Sequence, residues 1–112
     1  MIFIEDRLSK LKAGETIKYR ESGNSMLPLI KSRELITCAP ISDPATISIG
    51  DVVFCKVKGR YYTHLVKATK VLERKKTGKV IMFLIGNNHG GTNGWVQSRN
   101  VFGKVISVGG LE

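Results

Sequence analysis

The sequence predicts a mainly β domain, a sandwich or a partly open barrel of short antiparallel strands with one short N-terminal helix. Six or seven strand-like segments alternate with turn signals along the chain, whereas helical periodicity is confined to the N-terminal segment. The chain contains neither an internal repeat nor a linker. Residues 1–112 are therefore expected to form one domain that buries a modest core.

Each element follows from local patterning. Residues 1–14 are predicted to be helical from residue 4 to about 12, because apolar side chains fall on one face and Gly14 follows as a stop signal. The β core is predicted over residues 15–108. Its strands are predicted at 16–20, 35–39, 52–58, 61–72, 79–85, 95–96 and 101–108, with a proline-containing loop at 40–49 and a loop rich in Gly and Asn at 86–94.

The formal net charge of +9 is concentrated around one predicted hairpin tip. A solvated edge that resists aggregation is the favoured interpretation. An acidic protein or a nucleic acid bound through this basic hairpin is the alternative, although no aromatic residues interleave with the charges. The cluster consists of Lys67, Lys70, Arg74, Lys75, Lys76 and Lys79.

Other features of the composition favour a cytoplasmic protein. No apolar run approaches the ~20 residues of a membrane span, and residues 1–7 lack the layout of a signal peptide. Cys38 and Cys55 lie in apolar strands, which favours buried free thiols over a disulfide. The spacings of the Cys and His residues match no zinc pattern, so neither a metal nor a cofactor is expected.

Residues 21–28 contain the main candidate for chemistry. Ser25 follows Gly23 in a predicted turn, and Pro28 fixes the exit. A serine in such a turn can be exposed with its own backbone N–H directed at a bound group, as a nucleophile with an oxyanion hole requires. The alternative is a polar turn that connects two strands.

A serine nucleophile needs a base, and His64 is the first candidate. His64 lies in a predicted strand, where a histidine is more often an ordinary packed residue. His89, in the Gly- and Asn-rich loop, is the second candidate.

Five segments together resemble the signal peptidases and LexA-like peptidases, in particular the branch with a histidine base. The resemblance covers roughly residues 17–108, and the segments occur in the order and spacing of that family. They are Gly-Asn-Ser-Met-Leu-Pro at 23–28, Gly-Asp-Val-Val at 50–53, His-Leu-Val at 64–66, Ile-Gly-Asn-Asn at 85–88 and Phe-Gly-Lys-Val at 102–105.

The resemblance implies a LexA- or signal-peptidase-like β fold and a Ser-His dyad. Ser25 would attack a peptide carbonyl and His64 would accept the proton. The backbone N–H groups of Ser25 and Asn24 would bind the oxyanion. Asn87 would orient the histidine, at a position where the family usually carries an aspartate.

The substrate implied by the resemblance is a polypeptide bound as an extended strand, in a groove formed by Gly23, Met26 and Pro28. Three alternatives stay open. The fold could serve as a weak or inactive binding module, the chain could cleave itself at Ala13-Gly14, and an unpaired edge strand could support a homodimer.

Overall fold

The computed structural model describes residues 3–76 and 78–109. One α-helix precedes seven strands, and short 3-10 helices precede β3 and β7. The elements are α1 (Ile4–Lys12), β1 (Ile17–Arg20), β2 (Leu35–Pro40), β3 (Val52–Val57), β4 (Arg60–Arg74), β5 (Gly78–Gly86), β6 (Thr92–Gln97) and β7 (Val101–Val108).

All seven strands belong to one antiparallel sheet in the order β1-β2-β7-β3-β4-β5-β6. The sheet is not closed, and β1 and β6 are its edges. Because β3 also contacts β6, three positions away, the sheet curls on itself. The predicted class, mainly β with one short N-terminal helix, is confirmed.

The alternation of β3 supplies both faces of the sheet with apolar side chains. Phe54 joins a cluster beneath α1 and the segment 21–34, together with Tyr19. Val53 and Cys55 point the other way, into a cluster enclosed by the curled strands β3 to β6 and by the loop after β2. A central strand that is buried on both faces fixes the register of its neighbours.

Helix α1 ends where the sequence predicts. Gly14 adopts a φ of 85°, its N–H donates to the Leu11 carbonyl at 3.0 Å, and the Glu15 N–H donates to the Lys10 carbonyl at 2.9 Å. These two bonds form a Schellman motif, which glycine accommodates without strain. In the described part of the chain no helix has the length and apolar character needed to cross a membrane.

The predicted loop at 86–94 is too long. β6 begins at Thr92, because Thr92 pairs with Gly86 and Gly94 pairs with Ile85. One residue of β5 is thus matched by two of β6, and Asn93 is the extra residue of a β-bulge. A bulge redirects the side chain of its extra residue.

Both cysteines are buried free thiols, as predicted. Burial raises the pKa of Cys38 from 9.0 to about 12, although the Tyr19 hydroxyl bonded to its side chain opposes the shift. Burial likewise raises the pKa of Cys55 to about 12. Neither thiol supplies a nucleophile at neutral pH.

The close approach of β7 to β2 predicts that Gly103→Ala is destabilising by about 1–3 kcal/mol. A Cβ at residue 103 would lie 2.5 Å from Cys38 Sγ and 3.0 Å from the Ala39 carbonyl oxygen. Urea unfolding of Gly103→Ala, Cys38→Ala and the double variant forms a test cycle. The double variant should lose less stability than the sum of the two single losses, because the sulfur is gone. Additive losses would contradict this packing.

The raised thiol pKa values predict a loss of stability at alkaline pH. Below pH 9.0 the contribution is fully present. As the pH rises from there towards about 12, the unfolded chain releases protons that the folded thiols keep, so the free energy of unfolding falls. Urea unfolding at about pH 8 and about pH 10.5 should differ by on the order of 4 kcal/mol, since each of the two thiols contributes about 2 kcal/mol.

The control for this prediction is Cys38→Ala/Cys55→Ala. Its alkaline loss should be smaller but not zero, because burial also raises the pKa of Tyr19. The same alkaline loss in both proteins would show that the thiols do not cause it.

Candidate active site

The structure brings Ser25 and His64 together. Ser25 Oγ lies 3.1 Å from His64 Nε2. The serine is exposed in the turn after β1, whereas His64 is only 8% exposed within β4. The ring of Tyr62 packs beside the imidazole with a centroid separation of 4.8 Å. The histidine is therefore held on a rigid strand, while the hydroxyl faces solvent.

The other ring nitrogen of His64 contacts Asn93. Nδ1 lies 2.8 Å from Asn93 Oδ1. An amide oxygen only accepts, so Nδ1 carries the proton and Nε2 is left to accept the Ser25 hydroxyl. Asn93 fixes both the orientation and the tautomer of His64.

The prediction for Asn87 needs correction. Its Oδ1 accepts the backbone N–H groups of His89 at 2.8 Å and Gly91 at 3.0 Å. Asn87 therefore shapes the β5–β6 turn, and Asn93 makes the contact expected of Asn87. The bulge that aims Asn93 at His64 follows from strand register, which the sequence pattern does not reveal.

The β5–β6 turn also holds the turn that carries Ser25. The Asn88 N–H donates to the Ser25 carbonyl at 2.9 Å, and Asn88 Nδ2 donates to the Leu27 carbonyl at 2.8 Å. His89 Nε2 donates to the Asn24 carbonyl at 3.0 Å. His89 thus contacts the backbone of the turn rather than the Ser25 hydroxyl.

These contacts engage carbonyl groups and leave N–H groups unused. Within residues 3–76 and 78–109, the backbone N–H groups of Asn24 and Ser25 have no hydrogen-bond acceptor. Both belong to exposed residues beside the Ser25 hydroxyl. They have the chemistry to bind an oxyanion, the role predicted for them.

A buried polar network lies behind the dyad. Arg7 Nη1 donates to Glu21 Oε1 at 3.1 Å, and the guanidinium lies 4.0 Å from the centroid of the Tyr19 ring. Thr63, the neighbour of His64, donates to the same carboxylate oxygen and is 2.8 Å from the Tyr19 hydroxyl. The network connects α1, β1, the start of the Ser25 turn and β4.

A cleft of about 290 Å³ opens at the dyad. Of the three residues predicted to form a substrate groove, Gly23 and Met26 line this cleft, and Met26 is only 5% exposed. Pro28 is exposed and does not line the cleft. In the described residues no group of three His, Cys, Asp or Glu side chains could hold a metal ion.

The basic cluster lies on the β4–β5 hairpin, and none of its residues lines this cleft. Lys75 and Lys76 are exposed at its turn, and Lys70 Nζ lies 4.1 Å from the ring centroid of Trp95 on β6. One aromatic side chain therefore accompanies the cluster, a contact that sequence spacing did not indicate.

Sequence reasoning missed four side chains at the site: Arg7, Glu21, Asn88 and Asn93. The second Asn of the Gly-Asn-Asn segment was a usable signal for Asn88, since that segment was already singled out. Arg7 shares the predicted apolar face of α1, and a charge on such a face indicates a buried partner.

Comparisons with known proteins did not assign a family. No protein-family model matches the chain, and no curated protein or solved structure matches it either.

Proposed function

We propose that this chain is a serine peptidase in which Ser25 is the nucleophile and His64 the general base. The proposal rests on one observation, the continuous hydrogen-bonded chain from Ser25 through His64 to Asn93. The resemblance of the sequence segments to signal peptidases and LexA-like peptidases supports the same reaction class.

In this mechanism Ser25 Oγ attacks the carbonyl carbon of a peptide bond while His64 Nε2 takes the hydroxyl proton. The protonated ring then gives that proton to the leaving amine. In the second half of the cycle, His64 activates a water molecule, which hydrolyses the ester on Ser25. Asn93 keeps the imidazole in the orientation that both halves require.

The tetrahedral intermediates carry a negative charge that needs donors. Among the described residues the backbone N–H groups of Ser25 and Asn24 have no acceptor, so they can donate to the oxyanion without first breaking a bond. The hydrogen bonds that Asn88 and His89 donate to the neighbouring carbonyl groups hold the turn in this conformation before a substrate binds.

The substrate is a polypeptide in extended conformation. β1 is an edge of the sheet and leads directly into the cleft through Glu21 and Ser22. An edge strand has unpaired backbone groups that can pair with an added strand. The bound chain would then pass Ser25 with its backbone held in register.

One observation favours a second candidate, a peptide-binding module with little turnover. In the described structure, the partner of His64 Nδ1 is a neutral amide and not a carboxylate. A neutral amide orients histidine in the Cys-His-Asn arrangement of papain-like proteases, but it stabilises an imidazolium less than a charge does.

Ser25→Ala should abolish cleavage and leave the fold intact. The free energy of unfolding should change by less than about 1 kcal/mol, because Ser25 is exposed. Cleavage is measured by mass spectrometry of a peptide library after incubation, and Ser48→Ala, another exposed loop serine, is the matched control. Residual cleavage in Ser25→Ala, or none by the unmodified chain, would contradict the peptidase proposal.

Asn93→Asp should raise kcat by about tenfold, since ~1.4 kcal/mol of added stabilisation of the imidazolium is a factor of ten in rate. Asn87→Asp is the matched control and should leave kcat unchanged, because an aspartate oxygen can still accept the His89 and Gly91 N–H groups. Asn93→Ala should lower kcat, and ¹⁵N NMR should show a mixture of His64 tautomers. Equal responses at residues 87 and 93 would contradict the orienting role of Asn93.

A further inference from the structure

A second and larger groove, of about 790 Å³, adjoins the cleft at the dyad. The two share Glu21 and Ser22, so a chain that passes Ser25 can continue from one into the other. The groove is lined by α1, by β1 and by the residues that precede β2.

The exposed side chains of this groove are mainly cationic. They are Lys10, Lys18, Arg20 and Arg33, and the carboxylates that line it, among the described residues, are Asp6 and Glu21. Glu21 is already bound to Arg7. Within the described residues, no ion pair engages Lys10, Lys18 or Arg33. Lys10, Lys18 and Arg33 therefore present positive charge to a ligand in this groove.

The backbone at Arg33 adds an independent argument. Arg33 has a φ of 63°, a left-handed conformation that glycine adopts without strain and arginine does not. Its N–H donates to the Glu21 carbonyl at 2.7 Å, and its own carbonyl accepts Arg20 Nη1 at 2.7 Å. The turn thus keeps an arginine at the groove although glycine would fit this backbone with less strain, and this supports a role for the cation in the proposal below.

Buried and exposed residues alternate along β1, and this alternation determines which face of the strand carries the positive side chains. Ile17 and Tyr19 are buried, whereas Lys18 and Arg20 are exposed. A strand added to the free edge of β1 would place every second side chain on the same face as these two cations. Acidic side chains at those positions would meet Lys18 across the pair.

We propose that this groove binds an acidic segment of the polypeptide substrate, next to the bond that Ser25 cleaves. The position of the cut rests on the proposed peptidase function, whereas the preference for acidic residues rests on the groove alone. The inference names the substrate class: an extended chain with Asp or Glu at alternate positions on one side of the cleavage site.

The test measures binding to Ser25→Ala, so that it does not depend on turnover. Each fluorescein-labelled peptide has an alanine-rich centre with Asp and Glu on one side, either before or after the centre. The control peptides carry Asn and Gln at the same positions. By anisotropy, the acidic peptide should bind at least about tenfold more tightly, since several exposed ion pairs each contribute a few-fold. Equal affinity for the acidic and amide peptides would overturn the inference.

Matched variants distinguish binding in the groove from general electrostatic attraction to a basic protein. In the Ser25→Ala background, Lys10→Gln/Lys18→Gln should weaken acidic peptide binding by about fivefold or more. Lys75→Gln/Lys76→Gln removes the same charge at the β4–β5 turn and should leave the affinity nearly unchanged. Equal losses in both pairs, or tighter binding of a single-stranded oligonucleotide than of the acidic peptide, would overturn the inference.

Arg33→Gly gives opposite expectations for stability and binding. The melting temperature should rise or stay the same, because glycine tolerates the left-handed φ, while the affinity for the acidic peptide should fall about two- to fivefold. Unchanged affinity would overturn the role of Arg33. Cleavage by the unmodified chain is scored separately, so acidic binding without cleavage refutes the peptidase and not the groove.

Discussion

The burial of Arg7 is the constraint on which the site depends. A guanidinium that is only 6% exposed needs a carboxylate and further polar or aromatic contacts, and Glu21 and Tyr19 supply them. Glu21 begins the turn that carries Ser25, and the Thr63 hydroxyl that donates to Glu21 belongs to the residue before His64. One buried charge therefore ties the helix to the turn that carries Ser25 and to the strand that carries His64.

The turn is held from its other side by a different kind of contact. Asn88 and His89 bind the carbonyl groups of Asn24, Ser25 and Leu27, so the peptide plane that carries the Ser25 N–H is held through the Asn24 carbonyl. The β5–β6 turn can do this because the side chain of Asn87 accepts two backbone N–H groups of the same turn and so closes the turn tightly. The loop rich in Gly and Asn thus holds the turn that carries Ser25 in place, and the bulge next to this loop positions Asn93 in contact with His64.

Local sequence patterns were sufficient to predict the secondary-structure elements. The side-chain contacts of the site depend on residues that are distant in sequence, and these contacts could not be predicted from local patterns. The periodicity before Gly14 and the alternation around Phe54 were sufficient for the helix, its end and the central strand. Ser25 and His64 were predicted because each stands in a segment typical of one family. Asn93 could not be distinguished from Asn87, because its position depends on a register shift between β5 and β6 and on the curl of the sheet. The buried Arg7 could not be assigned a partner, because Glu21 lies fourteen residues away along the chain.

In the proposed reaction, the charges at the site would favour the negatively charged oxyanion over the positively charged imidazolium. The only carboxylate that lines the cleft, within the described residues, is Glu21, and Arg7 compensates it. Lys31 lines the same cleft, and the cationic groove begins next to it. In the proposed reaction these charges would stabilise a developing oxyanion and an acidic substrate, whereas among the described residues an imidazolium at His64 would have only the dipole of Asn93 beside it. An acidic substrate would correct this imbalance, because its own carboxylates would bring negative charge to the site. Recognition and catalysis would then depend on the same charges, and a substrate without acidic residues would bind weakly and react slowly.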